Sequence, residues 1–516
     1  MTPILKAMGV LCLASVLWPQ VPPGTLTLQK ALESTLREHP QARIGEQLVV
    51  ASRGVQRQAS GIFDPVYSSG IQQSFTPTAV TTALQNPGGG PYSEATNLTV
   101  FDSSATTLYR NGIAAGPVVE LDRTRDRLLN AAGINQSQLS YQVTIPLRRN
   151  RGAEVVAAQE TAAGVQVEAS RLDLNQTYTD LLTNTAVSYW ELVGAIRTME
   201  VALGSEERGQ ALFENVSDLI KADRSPRNDI NQVRANLADR IAGRIAAEHQ
   251  VVAARLQLAL DMGLPADGMA AVAYPAGDLP EGIGAPATDP AAVRRYIELA
   301  LSQRADYLAA RKRVEAERPL LAQAKNGLLP SVDLTLSTGY SGLREGVYPP
   351  SYLASLFHGV RGPDAMAGVR YEFAPRNNAA AGLMAQIEAS MRQAELRAAD
   401  TARGIAASVV VALAGVRNAG LRLEKARESV TAFQAALDGE REKYRLGFGS
   451  VVDILTTEDR LTAALVVQVQ ARLDTAVQLA HLRQATGTLV EPHVAAPRAD
   501  SRAFLTLPTL PGQNQP

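Results

Sequence analysis

A single cysteine, Cys12, stands in 516 residues, so no disulfide can form within the chain and no cysteine-rich metal site can be built. The five histidines, His39, His249, His358, His481 and His493, are scattered, without the HExxH or HxH spacing of a metal centre. Aromatic residues make up 5% of the chain, little for a compact enzyme core. Charge of neither sign predominates: 50 Lys and Arg face 51 Asp and Glu. That balance excludes nucleic acid as the main partner, because phosphate binding needs a basic surplus. Beyond the N-terminus no run reaches 18 consecutive apolar residues, which leaves β-strands as the route through any membrane.

Proline is missing where it would matter most. The chain has 28 prolines, yet none lies between Pro146 and Pro226 or between Pro375 and Pro492. Average usage would place about six in the second window. Proline breaks helix interiors at a cost of about 3 kcal/mol. Both windows are rich in Ala, Leu, Gln, Glu and Arg, and they are expected to be long helices. Tyr189, Leu192, Ile196, Met199, Leu203, Glu206, Gln210 and Phe213 recur at alternating steps of three and four. So do Leu423, Ala426, Val430, Phe433, Leu437, Glu440 and Tyr444. That is the 3.5-residue period of a coiled coil.

The ends read differently. Residues 1–23 are expected to be a signal peptide: Lys6 supplies a positive charge and Met8–Trp18 an apolar core of leader length. Residues 491–516, rich in Pro and polar residues, are expected to be a disordered tail.

Between the ends, two halves match. Asp229-Ile230 and Asp453-Ile454 lie 224 positions apart, and at the same offset Leu237 meets Leu461 and Gly263 meets Gly487. Leu28, Leu32, Leu36 and Pro65 meet Val293, Ile297, Leu301 and Pro330 at an offset of 265. Val143, Ile145 and Arg148 meet Tyr371, Phe373 and Arg376 at an offset of 228. The first repeat then spans 26–264, with strands near 65–75 and 139–147 and long helices near 152–222 and 226–262. A Gly-, Ala- and Pro-rich linker, 265–290, joins it to the second repeat, 291–490. The second repeat has strands near 330–339 and 365–373 and long helices near 378–446 and 450–486. Each strand has about the ten residues a tilted barrel strand needs. A further hairpin, Ser104–Arg110 with Val118–Thr124, is expected beyond the membrane.

Four strands cannot close a barrel, because their edges would go unpaired in lipid. Three chains would supply twelve strands and twelve helices. The expected fold is therefore mainly α with a membrane β-barrel: a duplicated unit of helix, two strands and a long helical hairpin, whose trimer forms a 12-strand barrel on an α-helical barrel.

The turn between the last two long helices is the most informative segment. In Tyr444-Arg445-Leu446-Gly447-Phe448-Gly449-Ser450, Gly447 suits the left-handed end of a helix, and Ser450 with Asp453 makes a capping pattern for the next. The first-half turn, Ala222-Asp223-Arg224-Ser225-Pro226, has no such glycine. Asp229 and Asp453 each start a helix, where the dipole favours carboxylates.

Several segments resemble the outer-membrane efflux proteins, the TolC-like channels. They are LTLQKALESTLREHP at Leu26–Pro40 with its echo VRRYIELALSQRADY at Val293–Tyr307, YQVTIPLRRNRG at Tyr141–Gly152, AVSYWEL at Ala186–Leu192 and YRLGFGSVVDIL at Tyr444–Leu455. The resemblance covers about 26–490. It implies a homotrimer in the outer-membrane lipid, reaching into the periplasm. It also implies partners: a periplasmic adaptor (membrane fusion) protein and an inner-membrane pump. It implies no enzyme activity, no cofactor and no metal. The gate residues it implies are Asp229, Asp453 and Tyr444. For adaptor contact at the tips it implies Leu446, Gly447, Phe448, Gly449 and Ser450, with Arg224 and Ser225. Asp229 and Asp453 match family aspartates near the constriction, where six carboxylates from three chains would raise one another's pKa. Tyr444 matches a tyrosine that helps hold the closed state. Gly449 and Thr456 stand where the family often has a basic latch residue and a second aspartate. A coiled-coil adaptor or scaffold without a membrane barrel is the competing reading, and it would lack duplicated strand pairs.

Overall fold

The computed structural model describes residues 25–80, 92–126, 131–222, 226–269, 272–282, 284, 286–346, 354–491 and 498–510. The expected signal peptide lies outside them. The chain divides into two units: one holds the described residues among 1–45, 175–305 and 404–516, the other those among 46–174 and 306–403.

Helices dominate. In chain order they are α1 (Leu28–Glu38), α2 (Pro40–Ser60), α3 (Ala158–Lys221), α4 (Asp229–Asp261), α5 (Pro290–Gln303), α6 (Ala305–Asn326), α7 (Asn378–Arg445) and α8 (Val451–Thr486). α3 and α7 run 64 and 68 residues, in the two windows that lack proline. α1 and α5 start alike. The Thr27 hydroxyl accepts from the Lys30 N–H and the Asp289 carboxylate from the Ala292 N–H, so each satisfies an otherwise orphaned donor of the first turn. α4 begins at Asp229, three residues later than the expected start, because Pro226 to Asn228 form a turn in which Pro226 accepts from the Asp229 N–H.

The unit containing 46–174 and 306–403 holds one antiparallel sheet. Its strands are β1 (Val66–Val80), β2 (Tyr92–Leu108), β3 (Ala114–Arg125), β4 (Ile134–Pro146), β5 (Ser331–Glu345) and β6 (Val360–Glu372), paired in chain order. Six strands replace the four expected. The hairpin placed beyond the membrane is β2–β3, and it sits in the sheet between β1 and β4. The two added strands have a physical reason for not showing in the sequence: β2 alternates weakly, with Leu98 and Val100 on the face that also carries Asp102.

The other strands alternate clearly. Leu139, Tyr141, Val143 and Ile145 of β4 share a face with Leu334, Leu336 and Tyr340 of β5. Gln138, Ser140 and Gln142 occupy the opposite face. Tyr67, Ile71 and Phe75 of β1 are 81%, 77% and 66% exposed, an apolar row left uncovered among the described residues.

The other unit packs by heptads. Val216, Val233, Val451 and Leu455 form one cluster and Leu437, Ile454 and Leu461 another, drawn from α3, α4, α7 and α8. α7 is the one described helix with a stretch long and apolar enough, by composition, to cross a membrane; one face of it, Ile405, Val409, Leu413 and Val416, is buried, while Val410 and Val411 are exposed. Tyr189 and Trp190 are core as well, stacked edge to face at 5.1 Å between ring centroids. Leu26 bridges to Pro275, so part of the 265–290 segment is held against the chain's start.

For residues 498–510 of the segment expected to be disordered, the expectation is corrected. Residues 501–504 form a short helix with Phe504 buried, and Leu510 is buried too. Burial of Arg483 in α8 supplies the reason. Its guanidinium donates to the carbonyls of Thr506 and Leu507 and to the Thr506 hydroxyl, so the tail provides acceptors that a buried cation requires.

Candidate functional site

The site is the end of the helical hairpins, within the unit containing 175–305 and 404–516. Between α7 and α8 the chain reverses in five residues. Gly447 has φ +81°, the left-handed conformation that L side chains resist, and it closes α7 through hydrogen bonds from Gly447 N–H to Tyr444 and from Phe448 N–H to Lys443. α8 then starts with a reciprocal cap. The Ser450 hydroxyl accepts from the Asp453 N–H at 3.2 Å, and the Asp453 carboxylate accepts from the Ser450 N–H at 3.3 Å and from its hydroxyl at 2.7 Å.

Those bonds decide the charge of Asp453. The Ser450 hydroxyl, then the Ser450 N–H, then the nearby Lys443 ammonium hold its carboxyl below the usual aspartate range. In the single chain the local effects thus oppose the upward shift expected of a carboxylate ring. Asp229 is the first residue of α4, at the corresponding place in the first repeat.

Tyr444 lies against both apolar clusters, in company with Leu212, Phe213, Ile220, Val430 and Phe433. It joins α7 to the other three helices by packing. Leu446 and Phe448 do the opposite: at 55% and 87% exposed they point away from the core. Gly449 lies close under Tyr444, where an added Cβ would meet its backbone nitrogen at 3.0 Å. Arg224 and Ser225 lie outside the described residues.

Three basic residues of the tip pair backwards along their own helices. Lys443 meets Glu440 at 2.6 Å, Arg445 meets Glu442 at 2.6 Å and Lys221 meets Asp218 at 2.8 Å, each one turn away. These are exposed pairs of the kind that contribute little to stability.

A second polar cluster was missed in the sequence. Glu458 of α8 is 1% exposed and accepts from Arg240 of α4 at 2.7 Å and from Arg441 of α7 at 2.8 Å. Arg208 of α3 approaches it at 3.5 Å, and burial holds that guanidinium below its usual pKa. Arg240 also reaches Asp459 at 3.2 Å, Asn236 at 2.6 Å and the Ser205 carbonyl at 3.0 Å. One carboxylate therefore ties all four long helices together. The signal was present: Ile454, Glu458, Leu461 and Leu465 step by four, three and four, so Glu458 occupies an apolar place in the heptad. Among the described residues no group of three or more His, Cys, Asp or Glu could hold a metal ion.

Comparison with known proteins agrees with this architecture. Residues 296–488, most of the second repeat, match the family described as Outer membrane efflux protein. "Outer membrane protein TolC" of Escherichia coli (strain K12) is 23% identical over 383 residues, covering 71% of this chain and 72% of that one. Its namesake in Salmonella enteritidis is 22% identical over 401 residues, 74% of this chain and 75% of the other. Among solved structures, the outer-membrane channel OprN superposes with a TM-score of 0.65 at 17% identity, covering 89% of both chains. VceC from Vibrio cholerae gives 0.62 at 17%, over 89% of this chain and 96% of that one. At such identities the structural likeness is one of fold.

Proposed function

We propose that this chain, a TolC-like outer membrane efflux protein, forms a homotrimeric duct in the outer membrane that extends into the periplasm. In this reading it receives solutes from an inner-membrane pump through a periplasmic adaptor, and it carries out no chemistry itself. One observation supports the reading above all: an antiparallel sheet with an apolar face, an opposite polar face and two open edges, in a chain whose remaining bulk is long helical hairpins. Such a sheet is at rest only when lipid covers one face, water wets the other and further copies pair its edges. An adaptor or scaffold without a barrel would have no use for it.

The tip carries the contacts. Leu446, Gly447, Phe448, Gly449 and Ser450 form the proposed adaptor surface, since Leu446 and Phe448 are apolar and uncovered. Arg224 and Ser225 extend that proposal to the other hairpin turn. Asp229, Asp453 and Tyr444 are the proposed gate: the two carboxylates would line the narrow end, and Tyr444 would hold the hairpins against each other.

The test is purification in detergent followed by planar-bilayer recording. A trimer with steady single-channel conductance is expected, and alanine at both Asp229 and Asp453 should weaken blockage by multivalent cations. A monomer that stays soluble without detergent and opens no channel would overturn the proposal.

A further inference from the structure

The two repeats are unequal in the sheet. β1 and β5 correspond residue for residue at the offset of 265, from Val66 with Ser331 to Val80 with Glu345. β6 pairs directly with β5, whereas β4, its counterpart, is separated from β1 by the whole β2–β3 hairpin. The first repeat therefore contains an insertion, and the insertion is built as sheet.

Three observations make it part of the wall. β2 and β3 have 17 and 12 residues, enough for the nine to eleven or so that a tilted strand needs to span a bilayer. The register carries the two faces across it. Phe101 pairs with Ile71 and with Leu121, and Val119 pairs with Leu139, all on the apolar face. Asp102 pairs with Glu120, and Glu120 with Gln138, on the polar face.

The turn of the hairpin is also tied down, beside the ends of β4 and α3. Arg110 donates to both oxygens of Glu160 at 2.8 and 2.7 Å, and its guanidinium lies 4.6 Å from the centre of the Phe63 ring. The Gly152 N–H donates to the Asn111 carbonyl at 3.1 Å. A Cβ on Gly112 would meet the Asn150 carbonyl at 2.2 Å, so this turn closes onto that corner with no room for a side chain. A hairpin lying loose beyond the membrane would have no such anchor at this end.

We propose that β2–β3 belongs to the membrane barrel, so that three copies close eighteen strands instead of twelve, each β6 edge pairing with the β1 edge of the next copy. The inference rests on the trimeric duct proposed above. Both edge strands have one neighbour among the described residues, and an unpaired edge in lipid leaves a row of unsatisfied N–H and C=O groups. A second copy is the partner whose exposed edge matches in length: 15 residues in β1 against 13 in β6. At a common strand tilt the diameter grows about linearly with strand number, so the opening would be about 1.5-fold wider than a twelve-strand barrel. The inserted hairpin also adds Asp102, Glu120 and Asp122 to the polar face, a rim of carboxylates that favours cationic over anionic solutes. The membrane section would then admit bulky, positively charged cargo, leaving selection by size to the helical end.

Cys12 is the chain's single cysteine, so a Cys12→Ser background makes single cysteines readable. In bilayers, Glu120→Cys should react with a charged, water-soluble methanethiosulfonate, and the reaction should alter single-channel current. Val119→Cys, one residue away on the opposite face, should react at least tenfold more slowly. Equal reaction at both positions, with current unchanged, would place the hairpin outside the wall. Electron cryomicroscopy of the unmodified trimer gives the count without any substitution. Eighteen strands support the inference. Twelve strands in a conducting trimer would overturn it and leave the duct intact, whereas a monomer without conductance would sink the duct reading itself.

Discussion

Arg240 and Glu458 meet at 2.7 Å with both side chains almost wholly buried, and they belong to different helical hairpins. A buried ion pair does not by itself stabilise a fold, because the desolvation of two charges offsets their attraction. Removing one partner is another matter. Glu458→Ala would strand Arg240 against Ser205 and Asn236 with its main counter-ion gone, and Arg208 and Arg441 would lose theirs as well. A loss of about 3–5 kcal/mol is expected. Replacing Arg240 and Glu458 together by Leu should recover the share that falls on Arg240, while Arg208 and Arg441 still lack their counter-ion. Denaturation in detergent, read as a double-mutant cycle, measures the coupling; additive losses would remove the pair as a clasp.

Two glycines of α7 and its end should respond in opposite directions to the same change. Gly447 has a positive φ and open space around its Cβ position, so Gly447→Ala brings no clash but forces a left-handed alanine, at about 1–2 kcal/mol. Gly439 lies inside the helix with equally open space and no positive φ, so Gly439→Ala should gain up to about 1 kcal/mol. Hydrogen exchange of the amides around the turn reads both. A destabilising Gly439→Ala would show that this glycine serves contact with another chain.

The long helices were legible because proline's absence and the heptad repeat act over dozens of residues, where local exceptions average out. Strands near β1, β4, β5 and β6 were legible through duplication as much as alternation. β2 was not, since Leu98 and Val100 stand on the polar side and mask its period. The tail misled by composition: its prolines suggest disorder, yet Phe504 and Leu510 find cover and Arg483 finds most of its acceptors there. Capping by Ser450 and Asp453 could be read from spacing alone, because both partners lie within one turn. The Glu458 cluster joins residues more than 200 positions apart, and no local pattern names a long-range partner.

The cap of α8 should depend on pH in a fixed direction. Asp453 has its folded pKa depressed, so its contribution is fully present above the unfolded value of about 3.9 and is lost as pH falls through the folded one. The window therefore lies below about pH 4. Ser450→Ala should remove the cap at every pH, costing about 1 kcal/mol locally. Amide exchange at Val451 to Ile454, followed downward from pH 6, should show the difference between the parent and Ser450→Ala narrowing once the carboxylate protonates, without vanishing, because the Ser450 hydroxyl still accepts from the Asp453 N–H. A constant difference would mean that the serine hydroxyl acts without the carboxylate.

Truncation after residue 497 tests the tail. Arg483 would lose its two carbonyl acceptors and the Thr506 hydroxyl and keep only the longer bond to the Thr488 hydroxyl at 3.4 Å. Leaving a buried charged donor unsatisfied costs about 1–3 kcal/mol or more. Adding Arg483→Met to the truncated chain should restore part of that loss, since an apolar side chain needs no acceptors. If truncation leaves the melting temperature unchanged, the tail is an ornament of the fold.

Phe448 separates folding from docking. At 87% exposed it contributes almost nothing to the chain's own packing, so Phe448→Ala should change stability by less than about 0.5 kcal/mol. Exposed aromatics at the centre of an interface commonly carry much of its affinity. If the tip is the adaptor surface, the same substitution should weaken binding of the purified adaptor at least tenfold, about 1.4 kcal/mol. Leu446→Ala should act in the same sense, because Leu446 stands exposed beside Phe448 at the same turn. Glu440→Gln, on the same helix but paired with Lys443, should leave binding unchanged. Stability retained with adaptor binding also retained in the Phe448→Ala chain would remove the tip from the interface and send the search to the other hairpin turn.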